Sequence, residues 1–124
     1  MTAVREVMTE QLVTVEPSTS VAAAVTLMGI QRVGAVLVME NARLEGIFTE
    51  RDLVRTLSHD IGAASQPVGS WMTRNPVTVG PEASVERALE IMLAGHFRHL
   101  PVTEGESLVG IVSIRDVSRA TLNE

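Results

Sequence analysis

The sequence predicts an α+β fold within the α/β class, made of two copies of one β-α-β-β-α unit, and three observations carry that reading. First, Gly46-Ile47-Phe48-Thr49-Glu50-Arg51-Asp52 returns as Gly110-Ile111-Val112-Ser113-Ile114-Arg115-Asp116. Second, a shift of 64 positions, the step from Asp52 to Asp116, lays the chain on itself without a gap. Third, apolar residues switch between helical spacing and short continuous β-branched runs within each copy.

Each element of the first copy has its own signal. Val4 to Thr9 reads as a short helical lead-in and Leu12-Val13-Thr14-Val15 as a short strand. Glu16-Pro17-Ser18-Thr19-Ser20 turns the chain, with Ser20 placed as an N-cap. Val21, Ala24, Val25 and Met28 then fall at i, i+3, i+4 and i+7, one buried stripe of a helix that Gly29 or Gly34 is expected to close. Ala35 to Met39 is a continuous apolar run, as in a strand covered on both faces. Glu40-Asn41-Ala42-Arg43 makes a polar hairpin turn into Leu44 through Thr49, and a second helix runs from about Glu50 to Leu57.

The second copy repeats this in register. Met8 and Thr9 fall on Met72 and Thr73, Val13 on Val77, Pro17 on Pro81, Ser20 on Ser84, Met28 on Met92 and Arg55 on Arg119. The predicted boundaries are residues 1–58 for the first repeat, 59–67 for a small polar linker and 68–124 for the second repeat. A small mixed sheet with two helices on one side leaves apolar surface open, so the repeats are expected to pack face to face about a pseudo-twofold axis.

Composition removes several functions. There is no Cys, which excludes disulfides, thiolate catalysis and sulfur-ligated zinc. All ten cations are Arg, so a phosphate-loop lysine, a Schiff base and a lysine nucleophile are absent. A formal charge of −5 disfavours binding to nucleic acid. No apolar run approaches the roughly 20 residues of a membrane helix. The first residues lack a basic start and apolar core, so the expected compartment is the cytoplasm.

The repeated motif carries the chemistry. A strand that runs straight into a helix exposes unpaired N–H groups and the positive end of the helix dipole, where an anion can sit, and an acid one turn in can grip hydroxyl groups. Two junctions therefore suggest two ligand sites, built on Thr49 with Asp52 and on Ser113 with Asp116. The same residues fit a helix capping box equally well, and the sequence leaves both readings open.

Val7-Met8-Thr9, Pro17 with Ser20-Val21, Gly34-Ala35-Val36-Leu37-Val38, Arg98-His99-Leu100-Pro101-Val102 and the twice-used Gly-x-x-Thr/Ser-x-x-Asp together resemble a tandem cystathionine-β-synthase (CBS) domain pair, or Bateman module. The resemblance spans the chain and implies a β-α-β-β-α fold per repeat and two clefts between the repeats. It implies ligands that contain adenosine: AMP, ADP, ATP, NAD or S-adenosylmethionine, with no cofactor required. By that resemblance Asp52 and Asp116 bind ribose hydroxyls, Thr49 and Ser113 assist, and Ile47 and Ile111 form floors. Thr73 and Val77 would join the Asp52 cleft, and Thr9 and Val13 the Asp116 cleft. Arg98 and His99 stand where family members meet phosphate, whereas the first repeat has Gly34 and Ala35, so the clefts are expected to differ.

Other features read more plainly. His96 and His99 lack a third metal ligand nearby, and the recurring Met8, Met28, Met72 and Met92 read as core filling. Trp71 reads as packing at the linker, and Arg51 and Arg115 as partners of phosphate or of surface Glu. The favoured function is a regulatory nucleotide-binding module, a homodimer of such pairs that acts on an effector protein in trans. The alternative is a ligand-free interaction or dimerisation module. An enzyme is disfavoured, because scattered His without Cys or Lys assemble no nucleophile and base.

Overall fold

The computed structural model describes residues 1–124. They gather into two compact units, one of Val13–Pro76 and one of Met1–Leu12 with Val77–Glu124.

The Val13–Pro76 unit contains β1 (Thr14–Val15), α1 (Val21–Gln31), β2 (Ala35–Glu40), β3 (Arg43–Thr49), α2 (Glu50–His59) and β4 (Thr73–Arg74). Its sheet has the order β1-β2-β3-β4, with β1 parallel to β2 and the other pairs antiparallel. The Ala35–Val38 run of β2 is buried throughout, as an apolar strand covered on both faces must be. Val21, Ala24 and Met28 of α1 pack there with Val36, Val38 and Phe48.

Ser20 caps α1 as expected, its Oγ accepting from the Ala23 N–H at 3.0 Å. The far end corrects the expectation that a glycine closes this helix. It runs through Gly29 and stops at Arg32, which takes a left-handed φ of 57° while its N–H and that of Val33 both reach the Met28 carbonyl. Satisfying that carbonyl twice offsets the steric cost of a left-handed arginine. The β2–β3 turn also uses left-handed residues, Asn41 at 52° and Ala42 at 63°, the two positive φ values of a type I′ hairpin. Helix α2 continues two residues past Leu57 to His59.

In sequence β4 lies beyond the linker, yet it pairs with β3 through Gly46↔Arg74 and Ile47↔Thr73. A Cβ built on Gly46 would lie 2.5 Å from Met72 Sδ and 2.7 Å from the Thr73 carbonyl oxygen. Only glycine lets this segment lie so close to β3.

The other unit contains α3 (Val85–Gly95), β5 (His99–Glu104), β6 (Ser107–Ser113) and α4 (Ile114–Leu122), with the lead-in turn Val4–Glu6. Strands β5 and β6 are antiparallel. They are flanked by single bridges, Val79↔Val102 parallel and Thr9↔Ile111 antiparallel. These bridges stand 64 positions from the Val15↔Val38 and Ile47↔Thr73 pairings, so the same strand order recurs with its outer strands cut to one residue. Val4 is fully buried in the core with Val85, Met92, Leu100, Val112 and Val117. Gly110 repeats the close approach, with Met8 Sδ at 2.6 Å from a built Cβ. No helix of either unit is long and apolar enough to cross a membrane.

Candidate functional site

The β3–α2 junction is organised by Thr49 and Asp52. Thr49 is the extended N-cap of α2, and its Oγ1 accepts from the Asp52 N–H at 3.2 Å. In return Asp52 Oδ2 accepts from the Thr49 N–H at 2.9 Å and from its hydroxyl at 3.1 Å. The capping box, one of the two readings the sequence left open, is present, and it satisfies helix donors that the strand leaves open.

Asp52 does more than cap. It is only 6% exposed, and its Oδ1 accepts from Thr73 Oγ1 at 3.0 Å and from Arg55 Nη2 at 2.9 Å. The Arg55 guanidinium also donates to the Trp71 carbonyl at 2.9 Å. Trp71 donates from Nε1 to Gln66 Oε1 at 2.9 Å, and its ring lies 6.4 Å from that of His59. Ile47 is buried on β3 beside Leu37 and Thr73. The Gly34 carbonyl accepts from the Glu50 N–H at 3.1 Å, which ties the entry of β2 to the first turn of α2.

The β6–α4 junction follows the same plan with fewer bonds. Ser113 caps α4, its Oγ accepting from the Asp116 N–H at 3.2 Å and donating to Asp116 Oδ2 at 3.0 Å. Thr9 lies beside Ile111 through two backbone bonds, of 2.8 and 3.0 Å. The Arg98 carbonyl accepts from the Ile114 N–H at 2.8 Å, the counterpart of the Gly34–Glu50 bond, so Arg98 stands at the start of α4. His99 opens β5 opposite Ser113.

The first turns carry different charge. Helix α2 starts with Glu50 and Asp52, whereas α4 has Asp116 alone and places Ile114 where α2 has Glu50. Arg98 also replaces the small Gly34. The start of α4 thus carries an exposed arginine and one acid, and the start of α2 carries two acids.

A family model, the CBS domain, matches this chain twice, over residues 4–59 and 68–123. The chain belongs to the CBS-domain family. The CBS domain-containing protein YhcV of Bacillus subtilis is 33% identical over 118 residues, 95% of this chain and 84% of that protein. Among solved structures, the CBS-domain protein ATU1752 of Agrobacterium tumefaciens superposes with a TM-score of 0.92 at 36% identity, covering 97% of this chain and 99% of its own. CBSX2, solved in complex with AMP, superposes with a TM-score of 0.83 at 32% identity, over 98% of this chain and 96% of its own.

The CBS motif residues are thus distributed as follows. Thr49, Asp52, Ile47, Gly34 and Thr73 share the Val13–Pro76 unit, and Ser113, Asp116, Ile111, Thr9, Arg98 and His99 share the other. Val13, grouped by the resemblance with Asp116, lies in the unit of Asp52, where its carbonyl accepts from the Leu37 N–H at 3.0 Å. Val77, grouped with Asp52, is half exposed in the unit of Asp116. Sequence reasoning missed Arg55 as a partner of Asp52. The i, i+3 spacing was the available signal, but the same spacing at Asp116 and Arg119 yields no ion pair.

Proposed function

We propose that this CBS pair is a regulatory module that binds an adenosine-containing ligand, with AMP, ADP or ATP foremost, and signals to a partner protein in trans. The reading rests on one observation above the others. Each strand-to-helix junction holds a hydroxyl and a carboxylate together in the first helical turn, in a fold shared with a relative solved with AMP. Asp52 and Asp116 would accept from the ribose hydroxyls, with Thr49 and Ser113 beside them, Ile47 and Ile111 under the base, and Arg98 with His99 on phosphate. Binding would favour one conformation of the pair over another and shift their populations by its differential affinity. The module carries no catalytic role in this reading, acts in the cytoplasm and works as a homodimer. Exposed apolar residues on the helices, Ile30, Leu93, Val54 and Leu122, support self-association.

A second reading has its own support. Thr49 and Ser113 demonstrably cap their helices, and an interaction module that needs no ligand would keep both aspartates for that purpose. Thermal shift with AMP, ADP, ATP, NAD and S-adenosylmethionine separates the two. A ligand at about 100 times its dissociation constant stabilises by roughly 2.7 kcal/mol, several degrees for this chain. No shift with any of these ligands would favour the interaction module.

A further inference from the structure

We infer that the two junctions are unequal in affinity and that Arg55 sets the difference: the Asp116 junction fills first, while the Arg55–Asp52 ion pair holds the Asp52 junction in a self-occupied state. This rests on the nucleotide reading above. An ionised carboxylate offers about four lone-pair sites, two on each oxygen. Asp52 has all four engaged, with the Thr49 N–H and hydroxyl on Oδ2 and Thr73 and Arg55 on Oδ1. Asp116 has one engaged, by Ser113 on Oδ2, and no protein group on Oδ1. A ribose diol needs two acceptor sites on the carboxylate that grips it. At Asp116 both are available, whereas at Asp52 the diol must displace existing donors. Arg55 is the donor whose loss costs most, because it binds through charge and is anchored a second time on the Trp71 carbonyl.

Charge points the same way and stands apart from the hydrogen-bond count. The Asp116 junction has Arg98 at its edge and no second acid in the first turn, while the Asp52 junction adds Glu50 and has Gly34 in place of the arginine. A phosphate-bearing ligand therefore gains at one junction and loses at the other.

Isothermal titration of the whole chain with AMP tests this, on wild type, Asp52→Ala, Asp116→Ala and Arg55→Met. Arg55 is half exposed and Met keeps its aliphatic stem, so the fold is not at risk, and Arg55→Gln serves as a second variant. The tighter binding step should disappear in Asp116→Ala and persist in Asp52→Ala. Both Arg55 variants should tighten the weaker step by about threefold, the measure of a half-exposed ion pair, and leave the tighter step unchanged. Loss of the tighter step in Asp52→Ala, or Arg55 variants that weaken or leave unchanged the second step, overturns the inference and leaves the nucleotide reading standing. No heat from AMP, ADP, ATP or S-adenosylmethionine in any variant overturns both.

Discussion

Thr73 Oγ1 donates to Asp52 Oδ1 at 3.0 Å across 21 positions of sequence, and no such bond joins Thr9 to Asp116 at the matching place. One aspartate thus ties a distant segment to its helix, and the other serves its helix alone. Asp52→Ala removes the cap bonds, the ion pair and the Thr73 tie, and should cost about 2 to 3 kcal/mol. Asp116→Ala loses only its contact with Ser113 and should cost about 0.5 to 1 kcal/mol. Urea unfolding of the two variants in the absence of nucleotide measures the gap, and equal costs would contradict it.

Gly46 and Gly110 should respond unequally to alanine. At Gly46 the added Cβ meets the Thr73 carbonyl oxygen at 2.7 Å, a backbone atom that cannot turn aside. At Gly110 the backbone stands back at 3.1 Å, and the closest atom is the flexible Met8 Sδ at 2.6 Å. Gly46→Ala is expected to lose about 2 kcal/mol or more, and Gly110→Ala about 1 kcal/mol. Melting temperatures in the reverse order would show that Met72 and β4 give way more easily than Met8.

Ala42 sits at a φ of 63° in the β2–β3 turn. Alanine gains nothing in the left-handed region, and glycine reaches it without a steric cost. Ala42→Gly should stabilise the chain by about 0.5 to 1 kcal/mol, net of the entropy glycine adds to the unfolded state. A lowered denaturation midpoint would mean that the turn adopts another form in solution.

Val4 belongs to the first repeat by sequence but is fully buried among Val85, Met92 and Leu100. Val4→Ala should cost about 2 kcal/mol. Native-state hydrogen exchange should place the loss of protection in α3, β5 and β6. Protection lost in α1 and β2 instead would refute the placement of the lead-in.

Much of this architecture was legible in the residues. The shift of 64 positions holds for caps, strand pairs and glycine contacts alike, because both copies carry matching residues at matching spacing. Ser20 and Thr49 showed their capping roles through residue type and spacing. What the sequence could not state was partnership. Thr73 was grouped with Asp52 and Thr9 with Asp116 only by the family resemblance; periodicity does not say which strand each joins, and that pairing is made by long-range geometry at Ile47 and Ile111. The end of α1 was missed because a left-handed arginine has no compositional signature. Its stability comes from bonds to the Met28 carbonyl, which appear only once the helix exists. The load on Asp52 was missed for the same reason, since three side chains converge on it from separate elements.

The assignment of Met1–Leu12 to the company of Val77–Glu124 leaves Val13–Pro76 as the one uninterrupted piece. The Thr2 N–H reaches the Glu124 carboxylate at 2.6 Å, so the two ends of the broken piece already touch. A circularly permuted gene, opened between Pro76 and Val77 and spliced from Glu124 back to Met1, would encode the two units one after the other. Translation order and spatial order would then coincide, and a ribosome could release each unit complete before starting the next. In the order Met1 to Glu124, the Met1–Leu12 segment is separated by the whole of Val13–Pro76 from the residues it packs with.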